Sequence, residues 1–369
     1  MAALTLRRLI VSGNSSCNSG GSLLPMNLVQ MLPKCLPLKR LSDGSMKVCI
    51  IGAGAMGTLY GMRLAMSGVN VCFVEKNEIA IANIQRQGLR MSGIDGDHEM
   101  PFTISSNTAD LDPVDIVFVH TDTNNTRAAG EQAQKILKSS GFAITFQNGI
   151  GNVEILQNTL GHDRVLGGIS YHSARLHQPG HSVHTNANTT WIGELNGERS
   201  TRARQLASVL NNAGFSVELT DSINAVIWTK FVLNCAVNPI CALTGCRTGE
   251  IGLSLTGRQF QSLVLDELLR LLQAKQIEPI DSDLRATIDG FSGRLFNKPS
   301  MLQHMENGLE TEIDSLNGAA VREAVALGLH FPYNEAVTLL IKTRNEHVIK
   351  MLTEPAIDYE ALEAAAVQT

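Results

Sequence analysis

The sequence predicts an α/β fold, in which a doubly wound, mostly parallel sheet is followed by an all-helical C-terminal domain. From Met46 onward, apolar runs with strand character alternate with helical patterns, which is typical of βαβ units. After Asp221 the strand signals stop and long helical patterns follow. We therefore expect an N-terminal extension over residues 1–45, an α/β domain over 46–220 and a helical domain over 221–369.

The first unit of the α/β domain has the clearest pattern. MKVCIIGAGAMG begins as a strand and breaks into glycines, GTLYGMRLAMSG continues as a helix that ends at Gly68, and VNVCFVEKN gives a second strand. Apolar runs at 114–120 and 142–147, separated by a helical pattern at 126–141, extend the sheet. We expect the β pieces between 165 and 195 to form a hairpin tail on this sheet, before a last helix and the strand FSVELT.

The helical domain is predicted from three patterns, at 222–246, 255–275 and 304–328. The first pattern contains Pro239, which lacks a backbone N–H and disfavours α geometry in the residue before it. We therefore expect this helix to kink or end at Asn238.

The composition is that of an ordinary globular protein. Apolar residues make up 44% of the chain, charged residues 18%, and the net charge is −5, which argues against nucleic acid as a partner. No run reaches about 18 uninterrupted apolar residues, so we expect no membrane-spanning helix. The seven cysteines are scattered without a C-x-x-C pair, so we expect reduced thiols and no metal site.

The first 42 residues contain basic side chains and no Asp or Glu. The basic residues are Arg7, Arg8, Lys34, Lys39 and Arg40. This composition is typical of an organellar transit peptide, mitochondrial or plastid. The alternative is an unstructured start with Met46 as the initiator, in which case we expect a cytoplasmic protein.

A glycine-rich turn follows the first strand. IIGAGAMG matches G-x-G-x-x-G directly before a helix. The first glycine permits the tight turn, the second lets the backbone approach a pyrophosphate, and the third lets the helix pack on the strand. We therefore predict a Rossmann-type dinucleotide-binding domain. Its predicted cofactor contacts are Gly52, Ala53, Gly54, Ala55, Met56 and Gly57.

The end of the second strand bears on the choice of dinucleotide. Glu75 lies 23 residues after Gly52 and would accept hydrogen bonds from a ribose 2′-hydroxyl. Lys76 would instead attract a 2′-phosphate. The two residues argue in opposite directions, so both NAD and NADP stay open.

Three polar residues recur at four-residue intervals in the apolar stretch KFVLNCAVN. Lys230, Asn234 and Asn238 share one face of the predicted helix. Burying an amide without a partner costs roughly 1–3 kcal/mol, and an unpaired ammonium costs more, so a polar partner must meet this stripe. Residue chemistry alone leaves open whether that partner is another helix or a ligand.

Together with the glycine turn, the stripe resembles the ketopantoate reductases (2-dehydropantoate 2-reductases). The matching segments are GAGAMG at 52–57, QNGIG at 147–151, the Lys230, Asn234 and Asn238 stripe, and SMLQ with TEID between Ser300 and Asp314. The resemblance runs from Met46 to about residue 350. It implies NADPH-dependent reduction of 2-dehydropantoate to pantoate, in pantothenate and coenzyme A biosynthesis, with NADH left open because of Glu75.

The resemblance also implies a role for each matching residue. Lys230 is the expected proton donor, and partial desolvation draws the pKa of a lysine toward neutrality, which suits proton transfer. Glu312 is expected to contact both the substrate hydroxyl and the cofactor, and Asn148 to lie where nicotinamide and substrate meet. The remaining expected contacts are Asn234, Asn238 and Ser300 for the substrate, and Lys76 and the backbone of Ala174 for the cofactor.

The largest departure from the family pattern is a change of charge at the end of a strand. Members usually carry a lysine at the end of the strand matched by DIVFVHTD, and that position is Asp122 here. A carboxylate beside the substrate's own carboxylate repels it by on the order of 1 to a few kcal/mol, unless another cation intervenes. His120 is one candidate cation, although we favour a histidine of the core.

Two other functions stay open. 3-Hydroxyacid and opine dehydrogenases also begin with G-x-G-x-M-G, although the QNG and TEID segments do not belong to their usual patterns. A dinucleotide-binding homologue with weakened catalysis would account for Asp122. The expected partner is a small 2-keto acid, with no nucleic acid and no membrane, and a homodimer stays open.

Overall fold

The structure is a computed structural model that describes residues 46–294, 296–360 and 363. The predicted transit extension at 1–45 lies outside the described residues. The strands are β1 (Lys47–Ile51), β2 (Asn70–Val74), β3 (Leu89–Gly93), β4 (His98–Met100), β5 (Thr103–Ser105), β6 (Val114–Val119), β7 (Leu137–Thr145), β8 (Val165–Ser170), β9 (Ser173–Gln178), β10 (His181–Asn186), β11 (Thr189–Gly193) and β12 (Ser216–Leu219). The helices are α1 (Ala55–Met66), α2 (Glu78–Gln87), α3 (Thr126–Ile136), α4 (Asn152–Leu160), α5 (Thr201–Asn212), α6 (Ile223–Thr244), α7 (Thr248–Leu253), α8 (Leu255–Ala274), α9 (Leu284–Arg294), α10 (Ser300–Glu306), α11 (Asn317–Ala326) and α12 (Pro332–Thr353).

Eight strands form one sheet in the order β12-β11-β8-β7-β6-β1-β2-β5. All neighbours are parallel except β8 and β11. The central strands β1 and β6 are continuous apolar runs and are almost wholly buried, as a sheet covered on both faces requires. The carboxyl ends of β1, β6 and β7 meet at one edge, which receives the glycine turn, Asp122 and Asn148. The predicted parallel sheet followed by helices is confirmed.

The predicted hairpin tail at 165–195 is wrong in its placement. Its outer strands, β8 and β11, enter the main sheet and pair with each other. The hairpin between them, β9 and β10, belongs to a second sheet of order β4-β3-β10-β9. The parallel pairing of β10 with β3 joins segments that are distant along the chain, so no local sequence pattern predicts it.

Two helix boundaries also differ from prediction. The helix expected at 126–141 ends at Ile136, because Leu137 already pairs with Val114 at the start of β7. The single helix expected at 304–328 is instead α10 and α11, separated by a loop and a short 3₁₀ helix. Gly308, with a φ of 64°, adopts the left-handed conformation that ends α10. The helices without a counterpart among the named patterns are α2, α4, α7, α9 and α12.

Helix α6 passes through Pro239 and ends at Thr244, so of the expected kink or end at Asn238, the end is wrong. Proline has no N–H to donate to the carbonyl of Cys235, one turn earlier. Asn317 on α11 supplies the missing donor, since its Nδ2 donates to the Cys235 carbonyl at 3.1 Å. A side chain from a neighbouring helix therefore satisfies the carbonyl that proline leaves free, and the helix continues.

The same helix links the sheet to the helical domain. Its first residues lie on β8, where the missing side chain of Gly167 lets Ile223 approach, since a Cβ there would be 3.0 Å from the Ile223 Cγ1. Further along, α6 packs against α8, α10 and α12. Among the described helices it alone has the length and apolar composition of a membrane span, but 78% of its most apolar stretch is buried inside the protein. Lys230, two turns after Ile223, therefore lies beside the end of β8.

Candidate active site

The glycine turn after β1 has the geometry of a phosphate-binding loop. Gly52 has a positive φ of 102°, and a Cβ there would stand 2.8 Å from the carbonyl carbon of His120. A Cβ at Gly57 would collide with the carbonyl oxygen of Gly52, whereas Gly54 faces open space. Within the described chain, no acceptor takes the backbone N–H groups of Gly54 and Ala55 at the start of α1. These free donors and the helix dipole fit the pyrophosphate of a dinucleotide.

Glu75, at the end of β2, is bound to the glycine turn. Its Oε2 accepts from the Ala53 N–H at 2.8 Å, and its Oε1 accepts from the backbone N–H groups of Lys76 and Asn77 at 2.9 Å each. The Lys76 side chain is exposed, and its Nζ donates to the Asn125 Oδ1 at 3.1 Å. An acidic and a basic side chain therefore flank the region where a Rossmann domain holds the adenosine ribose.

Lys230 lies where α6 leaves the sheet. Its Nζ donates to the backbone carbonyl of Ser170 at 2.7 Å and stands 5.6 Å from the centroid of the Tyr171 ring. Burial lowers the pKa of Lys230 from 10.5 to about 8, and the charge of Glu312 only partly opposes this. A lysine that titrates near neutrality can donate a proton to a reacting oxygen.

The two asparagines of the stripe are buried without partners. Asn234 is 7% exposed and Asn238 is 6% exposed. Neither side chain makes a hydrogen bond with another residue in the part of the chain that the structure describes. Neither amide is among the unpaired side-chain atoms that are sealed from solvent, so no described helix pairs with these residues and water or a ligand can reach them. Of the two alternatives that the sequence left open, a polar ligand fits.

Glu312 faces Lys230 from the helical domain. The Nδ2 of Asn148, in the loop after β7, donates to the Glu312 Oε2 at 3.4 Å. Burial raises the pKa of Glu312, the charge of His304 opposes that rise, and the negative charge of Asp122 adds to it. The Glu312 carboxyl group thus interacts with four other side chains, which come from both domains.

The segment after Glu312 also contacts the sheet directly. The Ser315 Oγ donates to the Thr123 Oγ1 at 2.8 Å, and the Ser315 carbonyl accepts from the Ile150 N–H at 3.3 Å. Gly149 approaches that carbonyl so closely that a Cβ would collide with it. The two loops that carry Asp122 and Asn148 are therefore both held against the segment that carries Glu312.

Two of the predicted site residues are not joined to this group. Ser300 is the first residue of α10, and its hydroxyl has no hydrogen-bond partner among the described residues. Ala174 lies in β9, where it pairs with His184, and β9 packs against α1. The structure thus brings Lys230, Glu312 and Asn148 together, whereas no hydrogen bond within the described chain connects Ser300 or Ala174 to them.

The structure decides the role of His120, the candidate substitute for the missing lysine. Its ring packs at a tilt against Tyr60, with a centroid distance of 4.8 Å, and stacks on Phe146 at 5.6 Å. Burial lowers the pKa of His120 to about 3, so it is neutral near pH 7. It is therefore a core histidine. Asp122 is exposed, and its negative charge acts on Glu312.

Three participants escaped the sequence reasoning. Ser170 acts through its backbone carbonyl, which leaves no signature in the sequence, and Tyr171 is a neighbour of Lys230 only in space. His304 did leave a signal, because it follows Ser300 by four residues and so shares a helix face with it. No cluster of His, Cys, Asp and Glu suited to a metal ion occurs in the described residues.

A Rossmann domain with a phosphate-binding turn, a helical second domain and a buried lysine between them define a nicotinamide-dependent oxidoreductase of the two-domain kind. The family model "Ketopantoate reductase PanE/ApbA" matches residues 48–197, and the model of its C-terminal part matches 222–345. The chain belongs to this family, as the resemblance predicted. It is an oxidoreductase, and a nicotinamide dinucleotide is its cofactor.

Similar proteins carry matching names. The 2-dehydropantoate 2-reductase of Archaeoglobus fulgidus is 31% identical over 297 residues, which cover 80% of this chain and 97% of that one. A crystal structure of a PanE/ApbA family ketopantoate reductase from Ralstonia eutropha is 27% identical with a TM-score of 0.76, covering 82% of this chain and 99% of its own. D-mandelate dehydrogenase in complex with NADH and anilino(oxo)acetate has a TM-score of 0.77 at 24% identity, which shows a shared fold.

Proposed function

We propose that this protein reduces 2-dehydropantoate, or a closely related branched 2-keto acid, to the 2-hydroxy acid with NADPH, in the route to pantothenate and coenzyme A. The observation that carries the proposal is the buried stripe of α6. Lys230 is the cation of that stripe, its pKa is lowered to about 8 by burial, and the two amides beside it have no partner in the described chain. A ligand with an oxygen for a proton donor and further oxygens for amide donors matches these groups.

Each residue has one task in this scheme. A dinucleotide held by the glycine turn of Gly52, Gly54 and Gly57 would supply the hydride for the ketone carbon. Lys230 gives a proton from Nζ to the ketone oxygen, which becomes the hydroxyl, and the Ser170 carbonyl holds that Nζ in place at 2.7 Å. Asn234 and Asn238 donate to the substrate oxygens. Glu312 receives the substrate hydroxyl, and Asn148, which donates to Glu312, stands where cofactor and substrate meet.

The preference for NADPH follows from the end of β2. Both carboxylate oxygens of Glu75 already accept backbone N–H groups, which leaves fewer positions for a ribose hydroxyl. Lys76 is exposed beside it and can pair with a 2′-phosphate. We expect Lys76→Ala to raise the KM for NADPH and to leave the KM for NADH unchanged, while Lys135→Ala, on the exposed face of α3, changes neither.

The decisive assay is oxidation of NADPH by the purified protein with 2-dehydropantoate. We expect Lys230→Met to lower kcat by about 10²–10⁴-fold, the usual contribution of a general acid. Lys350→Met, an exposed lysine on α12, is the matched control and should keep full activity. Because the protonated lysine is the active form, the wild-type rate should fall above about pH 8. Tight NADPH binding without turnover would identify a homologue that has lost catalysis.

For the N-terminal extension, we propose delivery of the chain to an organelle. The support is the composition of the first 42 residues, which are basic and lack Asp and Glu. Fusing residues 1–45 to a fluorescent protein tests this, and a diffuse cytosolic signal would contradict it.

A further inference from the structure

The proposed substrate is an anion, and the site lacks the lysine that the family resemblance predicts beside the nicotinamide and the keto acid. Asp122 occupies that position and is exposed, and His120 is neutral. Lys230 cannot bind the substrate carboxylate alone, because its ammonium gives its proton to the ketone oxygen in the proposed reaction and is hydrogen-bonded to the Ser170 carbonyl. A second donor that keeps its proton through the reaction must therefore contact the carboxylate, or the anion is repelled.

The basic groups that act on the Glu312 carboxyl are His304 and Lys230. His304 lies on α10, and its Nδ1 is sealed from solvent without a hydrogen-bond partner in the described chain. An imidazole nitrogen buried in this way costs free energy unless a ligand meets it.

Helix α10 presents His304 together with Ser300. The two residues are one turn apart, so their Cβ atoms are about 5–6 Å apart on one helix face. Met301 and Met305, on a neighbouring face, are buried in the core of the helical domain, and α10 packs on α6. The Ser300 hydroxyl is unpaired as well. An O–H and an N–H donor at this separation suit the two oxygens of a carboxylate.

We propose that His304, with Ser300, donates hydrogen bonds to the carboxylate of the 2-keto acid and so supplies the contact that Asp122 cannot make. The assignment rests on the proposed function and deepens it, because it makes the acid group of the substrate a requirement set by α10. His304 is therefore a specificity-determining residue of this chain.

The test compares 2-dehydropantoate with its uncharged lactone, which offers the same ketone without a carboxylate. We expect His304→Leu to lower kcat/KM for the acid on the order of 10- to 100-fold, mainly through KM, and to leave the lactone nearly unchanged. His304→Asn keeps an N–H near the position of Nδ1 and should lose less. His330→Leu, at a histidine that is 79% exposed, is the matched control. Adding Asp122→Lys to His304→Leu should restore part of the loss.

An equal loss for acid and lactone would mean a structural role, and no loss for either would mean no contact; both results overturn the assignment. If the wild type reduces neither compound, the proposed function fails by itself. Calorimetric binding of 2-dehydropantoate in the presence of NADP⁺ then still compares wild type with His304→Leu, and equal binding overturns the role of His304.

Discussion

Lys230 should make the folded protein less stable than it would be with an apolar residue in the same place. The free-energy difference between a pKa of 10.5 and one of about 8 is about 3 kcal/mol below pH 8. Replacing the side chain in Lys230→Met removes this penalty and leaves the Ser170 carbonyl unpaired, at about 1 kcal/mol. We therefore expect the inactive variant to be more stable at pH 7, by about 2 kcal/mol.

The sign of the pH dependence provides the sharper test. Between about pH 8 and 10.5 the unfolded lysine holds its proton while the folded one has lost it, so the wild type gains stability as the pH rises. Relative to the wild type, Lys230→Met should thus lose about 3 kcal/mol of stability over that interval, so that its advantage of about 2 kcal/mol at pH 7 is reversed. Urea unfolding at pH 7 and pH 10 measures it, with Lys350→Met as an exposed control. A difference between wild type and Lys230→Met that stays constant with pH would refute the desolvation of Lys230.

Three further predictions follow from single contacts. Gly57→Ala should lower the free energy of unfolding by about 3 kcal/mol or more, because its Cβ overlaps backbone. Gly54→Ala should melt like wild type, because a Cβ there meets no atom, but calorimetry should show that it binds NADPH about tenfold more weakly. Asp122→Asn should shift the titration of Glu312, followed by carbon NMR, to lower pH and lower the KM for 2-dehydropantoate by up to about fivefold. Asn317→Ala should lower the free energy of unfolding in urea by about 2–4 kcal/mol, because it leaves two buried acceptors unpaired.

The parts of the fold that the sequence predicted are those specified locally. The glycine turn needs a positive φ at Gly52 and no side chain at Gly57, and both demands are visible as residue types. The central strands β1 and β6 are apolar runs of the expected length. The change from strands to helices between Leu219 and Ile223 follows from a change in hydrophobic period.

The errors lie where distant contacts override local preference. Proline is expected to end a helix, yet α6 continues because Asn317, far along the chain, donates to the freed carbonyl. The hairpin of β9 and β10 leaves the main sheet because β3 pairs with β10, which no period in either segment encodes. Propensity and pattern describe one segment at a time, so partners of this kind stay invisible to them.

The site residues likewise fall into those that the sequence identified and those that only the structure shows. Side chains with matching motifs, such as Lys230 and Glu312, were identified from the sequence, and the structure brings them close enough for each charge to shift the pKa of the other. The Ser170 carbonyl was missed because every residue has one. His304 was missed because an isolated histidine on a short helix has many explanations until its unpaired Nδ1 is seen.

The asparagines at α6 are of two kinds: Asn317 has hydrogen-bond partners within the fold, whereas Asn234 and Asn238 have none in the described chain. The Asn317 Nδ2 donates to the Cys235 carbonyl and to the Asn334 Oδ1, so its amide group holds helices together. Asn234 and Asn238 are 7% and 6% exposed, against 0% for Asn317, and have no such partners in the described chain. Sequence alone gives all of them the same chemistry. The two stripe amides, which no described residue meets, are therefore the ones that we propose for a ligand, and Lys230 on the same face suits a ligand that accepts a proton.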